Sequence, residues 1–283
     1  NSFIHLQVQI MDSRTMSLTA PPEKTLSDSH CHVHKPEDFC GLIERLFGCE
    51  SIDDFALCIV EMGDSRWFEA IRSGEALKAL SSRIRNQLML EEVDQSSLQL
   101  NWHAGGMDRN IRLFSSRQVN SHEKLEVIVV GNVEGVSESL PVEQYLQEFG
   151  ASELVILPWG VGKWLGNRGR IVSRLMSSHK ERFVLGDNGG RPSWWRVPQF
   201  DQANAIGMPI LAGSDPLRVG QYVERAFVYG DIFSGQFTNC REWIAHVKGL
   251  SASPDTFGQR VSTLTFLREQ LGLRLQKLAN KNI

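Results

Sequence analysis

The stretch Leu26-Ser27-Asp28-Ser29-His30-Cys31-His32-Val33-His34 sets three imidazoles and a carboxylate at alternate positions. Side chains alternate along a β-strand, so Asp28, His30, His32 and His34 share one face if the strand runs that far. Two imidazoles two residues apart on a strand project side by side and can reach one divalent cation. Lys35-Pro36 then begins a loop and a helix, which puts His30 and His32 near the C-terminal end of the strand. In an α/β barrel that end opens onto the active-site face. Cys31 points to the opposite face and reads as packed rather than ligating.

Outward from this stretch, short apolar runs alternate with helical patterns. Phe55–Val60, Leu125–Val130, Glu153–Leu157, Arg182–Leu185 and Pro209–Ala212 read as buried strands. Glu37–Phe47 carries Phe39, Leu42, Ile43, Leu46 and Phe47 on one helical face, and Asp64–Leu80 does the same with Trp67, Ile71, Ala76 and Leu80. Ile171–Ser178, Ser193–Ile206 and Asn239–Val247 are shorter helices, and Gln259–Asn280 is a long terminal one. The alternation predicts parallel βα units. Leu98–Trp102, Ile111–Val119 and Leu125–Val130 follow one another without helices and predict an antiparallel excursion. The expectation is a single α/β domain over residues 25–283, a distorted (β/α)7 TIM-like barrel with a long C-terminal helix. Residues 1–24, ending just past Pro21-Pro22, read as an N-terminal extension.

Composition narrows the function classes. The 283 residues carry 30 basic and 33 acidic side chains, a net charge of −3, so no nucleic-acid partner is expected. No run approaches ~18 apolar residues, which excludes a membrane-spanning helix at this level. Five cysteines at wide spacings form no C-x-x-C pair and suggest reduced thiols in the cytoplasm.

Asp28-Ser29-His30-Cys31-His32 resembles the first metal motif of the PHP superfamily (polymerase and histidinol phosphatase-like). Phe55–Asp64 falls where that family has its second strand and turn. Phe114–Val127 resembles its strand–turn–strand with a ligating Glu, and Gly213-Ser214-Asp215-Pro216-Leu217 resembles its late Asp-x-His motif. The resemblance implies a seven-stranded distorted barrel that binds up to three metal ions and hydrolyses phosphate esters. His30, His32 and Asp215 carry over. Glu61-Met62-Gly63 stands where the family has a His, Gln118 where it has the Glu, and Leu217 where it has the closing His. The surviving set, with Glu61 or Asp187 added, suits one to two divalent ions (Zn, Mn or Fe).

Two glycine-rich loops complete the reading. Leu157–Arg170 follows an apolar strand and precedes a helix, and its backbone N–H groups with Lys163, Arg168 and Arg170 would receive a substrate anion. The same composition describes an ordinary connecting loop. Gly186-Asp187-Asn188-Gly189-Gly190-Arg191 also ends a strand, offering Asp187 as catalytic base or ligand and Arg191 as an anion fork. It is equally strong turn chemistry. His103 is a further candidate ligand, and Trp194 and Trp195 either wall a pocket or belong to the core. The expected function is metal-dependent hydrolysis of a phosphate ester or other small anionic substrate. The alternatives are a catalytically eroded barrel serving as a ligand-binding or interaction module, and an amidohydrolase-type C–N hydrolase.

Overall fold

The computed structural model describes residues 24–49, 54–104, 107–217 and 225–279. The expected N-terminal extension lies outside them, except for Lys24, which opens the first strand. The strands are β1 (Lys24–Cys31), β2 (Asp54–Glu61), β3 (Leu88–Asp94), β4 (Ser97–Ala104), β5 (Met107–Asn120), β6 (Glu126–Val130), β7 (Leu154–Pro158), β8 (Val184–Asn188), β9 (Ile210–Gly213), β10 (Tyr229–Ser234) and β11 (Asp255–Gly258). The helices are α1 (Pro36–Phe47), α2 (Trp67–Arg72), α3 (Ser82–Arg85), α4 (Val142–Glu148), α5 (Asn167–His179), α6 (Pro198–Ala205), α7 (Cys240–Lys248) and α8 (Thr263–Ala279).

All strands belong to one sheet ordered β11-β10-β1-β2-β5-β6-β7-β8-β9, with β4 and then β3 attached beside β5. The pairs β1–β2, β2–β5, β7–β8 and β8–β9 are parallel. β6 runs against both β5 and β7, so the two parallel groups point the same way. The expected barrel therefore takes the form of a mixed α/β, nearly closed sheet in which β6 interrupts the regular βα repeat. The antiparallel excursion is present as β4–β5–β6.

The closing edges are joined by single backbone and side-chain hydrogen bonds instead of a continuous ladder. Asp215 N–H donates to His30 O at 2.8 Å, and Ser29 Oγ donates to Ala212 O at 2.9 Å. Asp28 accepts from Ser214 N at 2.9 Å, and Asp231 accepts from Ala212 N through both oxygens at 3.0 Å. Gly213 is required at this seam, because a Cβ there would lie 2.4 Å from His30 Cβ.

Three apolar clusters hold the layers. α1 has Pro36 in its first turn, acids at Glu37 and Asp38, and Arg45 in its last turn, which suit the two helix ends. Its Phe39, Leu42, Ile43 and Leu46 pack outside β1, β2 and β5 on Leu57, Ile59 and Leu113. α4, α5 and α6 cover β6–β8 through Leu146, Val172, Leu175 and Phe200. Inside the sheet Val60, Phe114, Ile128, Ile156, Val184 and Leu211 meet Trp243 of α7. Trp243 is fully buried with its ring 5.6 Å from that of Phe114; truncating such a side chain costs ~3–5 kcal/mol.

Some boundaries differ from expectation for local reasons. Asp64–Leu80 breaks into α2 and a 3-10 turn over Ala76–Ala79, because Gly74 takes φ +74°. β8 begins at Val184, after a 3-10 turn over Lys180–Arg182. β3 and β10 are strands that the apolar runs did not mark. The terminal helix starts at Thr263, and Leu264, Leu267, Leu271 and Leu275 are exposed, whereas Phe266 and Glu269 are the buried contacts. The side chain of Leu278 and residue Asn280 lie outside what is described. No helix among the described residues is long and apolar enough to cross a membrane.

Candidate metal centre

β1 does not keep strict alternation to its end. Its register against β2 steps from Asp28–Leu57 to Cys31–Ile59, which inserts one extra residue on β1. Such a bulge bends the strand and re-aims side chains. Here it brings His30 and His32 together, with their Nε2 atoms 3.0 Å apart and their rings edge-on at 4.8 Å. Both residues are buried. His32 Nδ1 lies 2.8 Å from Val60 O, so the neutral ring donates Nδ1–H and keeps a bare lone pair on Nε2. Burial, and after it the neighbouring His30, pushes His32 down to about 3, so the ring is neutral at physiological pH. His34 stacks on His32 but turns Nε2 to Pro216 O at 2.9 Å, away from the pair.

Asp215 arrives from the loop after β9. Its Oδ1 lies 3.7 Å from both histidine Nε2 atoms. Its other oxygen, Oδ2, accepts from Asn188 Nδ2 at 2.9 Å, and the same amide donates to Trp159 O at 2.8 Å. Asn188 thus fixes the carboxylate so that one oxygen is left for the histidines. Asp215 adopts φ +44°, a left-handed conformation that is costly outside glycine and tolerated best by Asp and Asn. Asp28 braces both sides: it accepts from His30 N at 3.0 Å and from Ser214 Oγ at 2.5 Å. Burial raises its carboxyl above the usual range, against the lowering by Ser214.

Gln118 of β5 completes the group, with Oε1 2.9 Å from His30 Nε2. The residue that stands in place of a ligating Glu therefore faces the histidines. Among the described residues, His30, His32 and Asp215 form the cluster whose ligand atoms all lie within 4.8 Å of one another.

The other expected residues are placed elsewhere. Glu61 accepts from Phe68 N at 2.9 Å at the start of α2, and burial raises its carboxyl. Asp187 is gripped by Arg191, with Nε–Oδ1 and Nη2–Oδ2 both at 2.6 Å. Tyr229 OH and Arg260 Nη1 add bonds to Oδ2 at 3.2 Å each. Asp187 is thus held in a separate ion-pair group and does not converge with His30, His32 and Asp215. Strand parity explains it: Val184 packs inside the barrel and Leu185 outside, so Asn188 follows Val184 and Asp187 follows Leu185.

The expected anion receivers are likewise engaged. Arg191 is committed to Asp187. Lys163 Nζ pairs with Glu126 at 3.0 Å, and Arg168 donates to Gly162 O at 2.7 Å. His103 is exposed and bound to Asp108 at 2.6 Å. Trp195 packs edge-on against Trp159, while Trp194 is exposed and stacked on Trp195. Cys31 is buried in the outer layer, as expected. Sequence reasoning missed Asn188 as the brace of Asp215, although the phase of β8 carried that signal.

The donor set fits a divalent cation. Ligand atoms ~2 Å from one ion sit ~3 Å from each other, which is the spacing of the two Nε2 atoms. Two imidazole nitrogens, one carboxylate oxygen and one amide oxygen form a mixed set of the kind that zinc, iron and manganese accept. Four such ligand atoms would suffice to hold one ion.

No family model matches this chain, and no curated protein matches it in sequence. Solved structures do. PsfC from Pseudomonas syringae PB-5123 superimposes with a TM-score of 0.54 at 13% identity, covering 90% of this chain and 99% of that one. The lesion-specific endonuclease PfuEndoQ from Pyrococcus furiosus gives 0.48 at 13% identity, covering 80% of this chain and 56% of that one. Endonuclease Q in complex with a 27-mer duplex carrying an abasic lesion gives 0.43 at 13% identity, with the same coverage. At such identity the likeness to PsfC speaks to fold alone.

Proposed function

We propose that this protein is a metal-dependent hydrolase of the PHP-like type, acting on a phosphate ester or another small anionic substrate. The observation that carries this reading is the convergence of His30 Nε2, His32 Nε2 and Asp215 Oδ1 at the strand ends of the barrel, joined by Gln118 Oε1. When bound, a divalent ion supplies Lewis acidity toward a phosphoryl oxygen and lowers the pKa of water. The chain's own residues prepare the place. Val60 O holds His32 in the tautomer that presents Nε2. Asn188 holds Asp215 Oδ2 so that Oδ1 faces the histidines, and Asp28 ties the β1 end to the β9 end. Both histidines are buried, which limits their contact with bulk water. Elemental analysis of the purified protein tests the reading: about one equivalent of Zn, Mn or Fe is expected, and an absence of metal after incubation with each ion overturns it.

One observation favours a second reading. Gln118 gives an amide where the resemblance calls for a carboxylate, which removes a negative charge from the ligand set. A barrel that binds a ligand without turning it over fits that loss. Stoichiometric metal with no hydrolysis of any phosphate monoester would select it.

A further inference from the structure

α8 is apolar on two opposite sides, and one of them is left uncovered among the described residues. Phe266 and Glu269 are buried, Glu269 through its pair with Arg225 at 3.1 Å. Leu264, Leu267, Leu271 and Leu275 are between 57% and 71% exposed. At ~100° per residue these four leucines fall within ~80° of one another, on the side away from Phe266. Arg268 and Arg274 are both exposed. They stand ~20° outside the two edges of the leucine stripe. Trp194 extends the stripe past the start of the helix: it is 59% exposed, and its Nε1 donates to Thr263 Oγ1 at 2.8 Å.

Charge decides what such a stripe can meet. The one acid of α8, Glu269, is taken by Arg225, so the other charges on the helix are all basic. The half of the chain that carries it is basic as well: residues 161–283 hold 17 basic and 9 acidic side chains, whereas residues 1–160 hold 13 and 24. A second copy of this chain fits poorly. A heptad seam through Leu264, Leu267 and Leu271 next requires an apolar residue at 274 and meets Arg274. Two such helices side by side would also bring arginines together with no exposed carboxylate on either helix. The 3-4-4 spacing of the leucines instead keeps them in line on a straight helix.

We propose that the exposed face of α8, together with Trp194, docks on an anionic lipid surface, with the helix lying in the interface rather than spanning it. The four leucines enter the boundary between headgroups and acyl chains, as the apolar face of an interfacial helix does. Arg268 and Arg274 lay their stems along the leucines and carry their guanidinium groups to lipid phosphates. Trp194 sits at the same level, where an amphipathic ring is favoured. The proposal stands apart from the hydrolase reading, because none of its residues belongs to the candidate metal centre.

The test is co-sedimentation of the purified protein with vesicles of equal parts phosphatidylserine and phosphatidylcholine, and with vesicles of phosphatidylcholine alone. The wild-type protein should bind the mixed vesicles about ten-fold tighter than the neutral ones, and salt should weaken that binding. Leu267→Glu/Leu271→Glu should lower binding ~100-fold, at about ten-fold for each leucine. Arg268→Gln/Arg274→Gln should remove most of the preference for the anionic vesicles. All four positions are exposed, so circular dichroism and melting temperature should stay unchanged. A wild-type protein that stays in the supernatant, or a leucine variant that binds as well as the wild type, overturns the proposal. A wild-type dimer that ignores vesicles and that the leucine substitutions dissolve overturns it likewise, and gives the stripe to a second copy.

Discussion

Two clusters of buried polar side chains sit on the same rim of the barrel, and adjacent residues of β8 serve them. Asn188 faces the histidines through Asp215, while Asp187 faces Arg191, Tyr229 and Arg260. In the second cluster the carboxylate is matched by two guanidinium groups and a hydroxyl. In the first, two imidazole nitrogens, a carboxylate oxygen and an amide oxygen point at one another with no cationic side chain among them. Position at a strand end is common to both. The balance of charge and donors separates a structural knot from a site that calls for a cation.

The sharpest break between the two is the His30→Ala/His32→Ala double substitution. It removes both imidazoles of the proposed ligand set and should lower metal affinity well beyond the ~100-fold loss of an outer-sphere change, with the fold retained. Equilibrium dialysis against Zn²⁺ and circular dichroism measure the two outcomes. The opposite pattern is expected for Arg191→Ala. Removing one partner leaves Asp187 buried and underpaired, at a cost of ~3–5 kcal/mol of stability, with metal stoichiometry unchanged in the folded fraction. Urea unfolding with parallel metal analysis checks it, and an Arg191→Ala protein that loses its metal at full stability would merge the two clusters into one site.

A smaller effect sharpens the ligand assignment. Gln118→Glu replaces the amide oxygen at His30 with a carboxylate and should tighten divalent-ion binding by about ten-fold. An unchanged affinity would leave Gln118 as a hydrogen-bond partner of His30 and nothing more. The smallest expected effect concerns the seam. Burial holds the Asp231 carboxyl well above the usual carboxylate range. The folded state therefore keeps a proton that the unfolded chain releases, and stability falls as pH rises from the ordinary carboxylate value through the raised one. Asp231→Asn has no such proton to lose and can still accept from Ala212 N–H. Its melting temperature should decline less over that window, though Asp28, also raised by burial, retains part of the slope.

Much of the frame was readable from residue order. The apolar runs at β2, β6, β7 and β9, the amphipathic α1 and the antiparallel excursion follow from local periodicity, which the tertiary structure leaves intact. β3 and β10 escaped because half-exposed or glycine-containing strands carry no continuous apolar run, as in Leu88–Asp94 and Tyr229–Ser234. The leucines of α8 misled in the other direction. Leu264, Leu267 and Leu271 form an apolar stripe that this chain leaves exposed, and the helix docks through Phe266 and Glu269.

The sequence by itself made His30 and His32 candidates for one centre, because residue type and strand position are local properties; the resemblance to a known family added Asp215 and marked Gln118 as a departure from its ligand set. It could not assign partners to charges. Lys163 is taken up by the sequence-distant Glu126, while Arg191 closes on Asp187 and Arg168 on Gly162 within their own loops, in geometries that only the folded loops set. Asn188 gains its meaning the same way, as the brace of an Asp215 carboxylate that stands on a separate segment. Which polar groups find a partner depends on three-dimensional juxtaposition, as where Asp28 and His30 meet Ser214 and Asp215 across the seam, and spacing along the chain alone does not encode it.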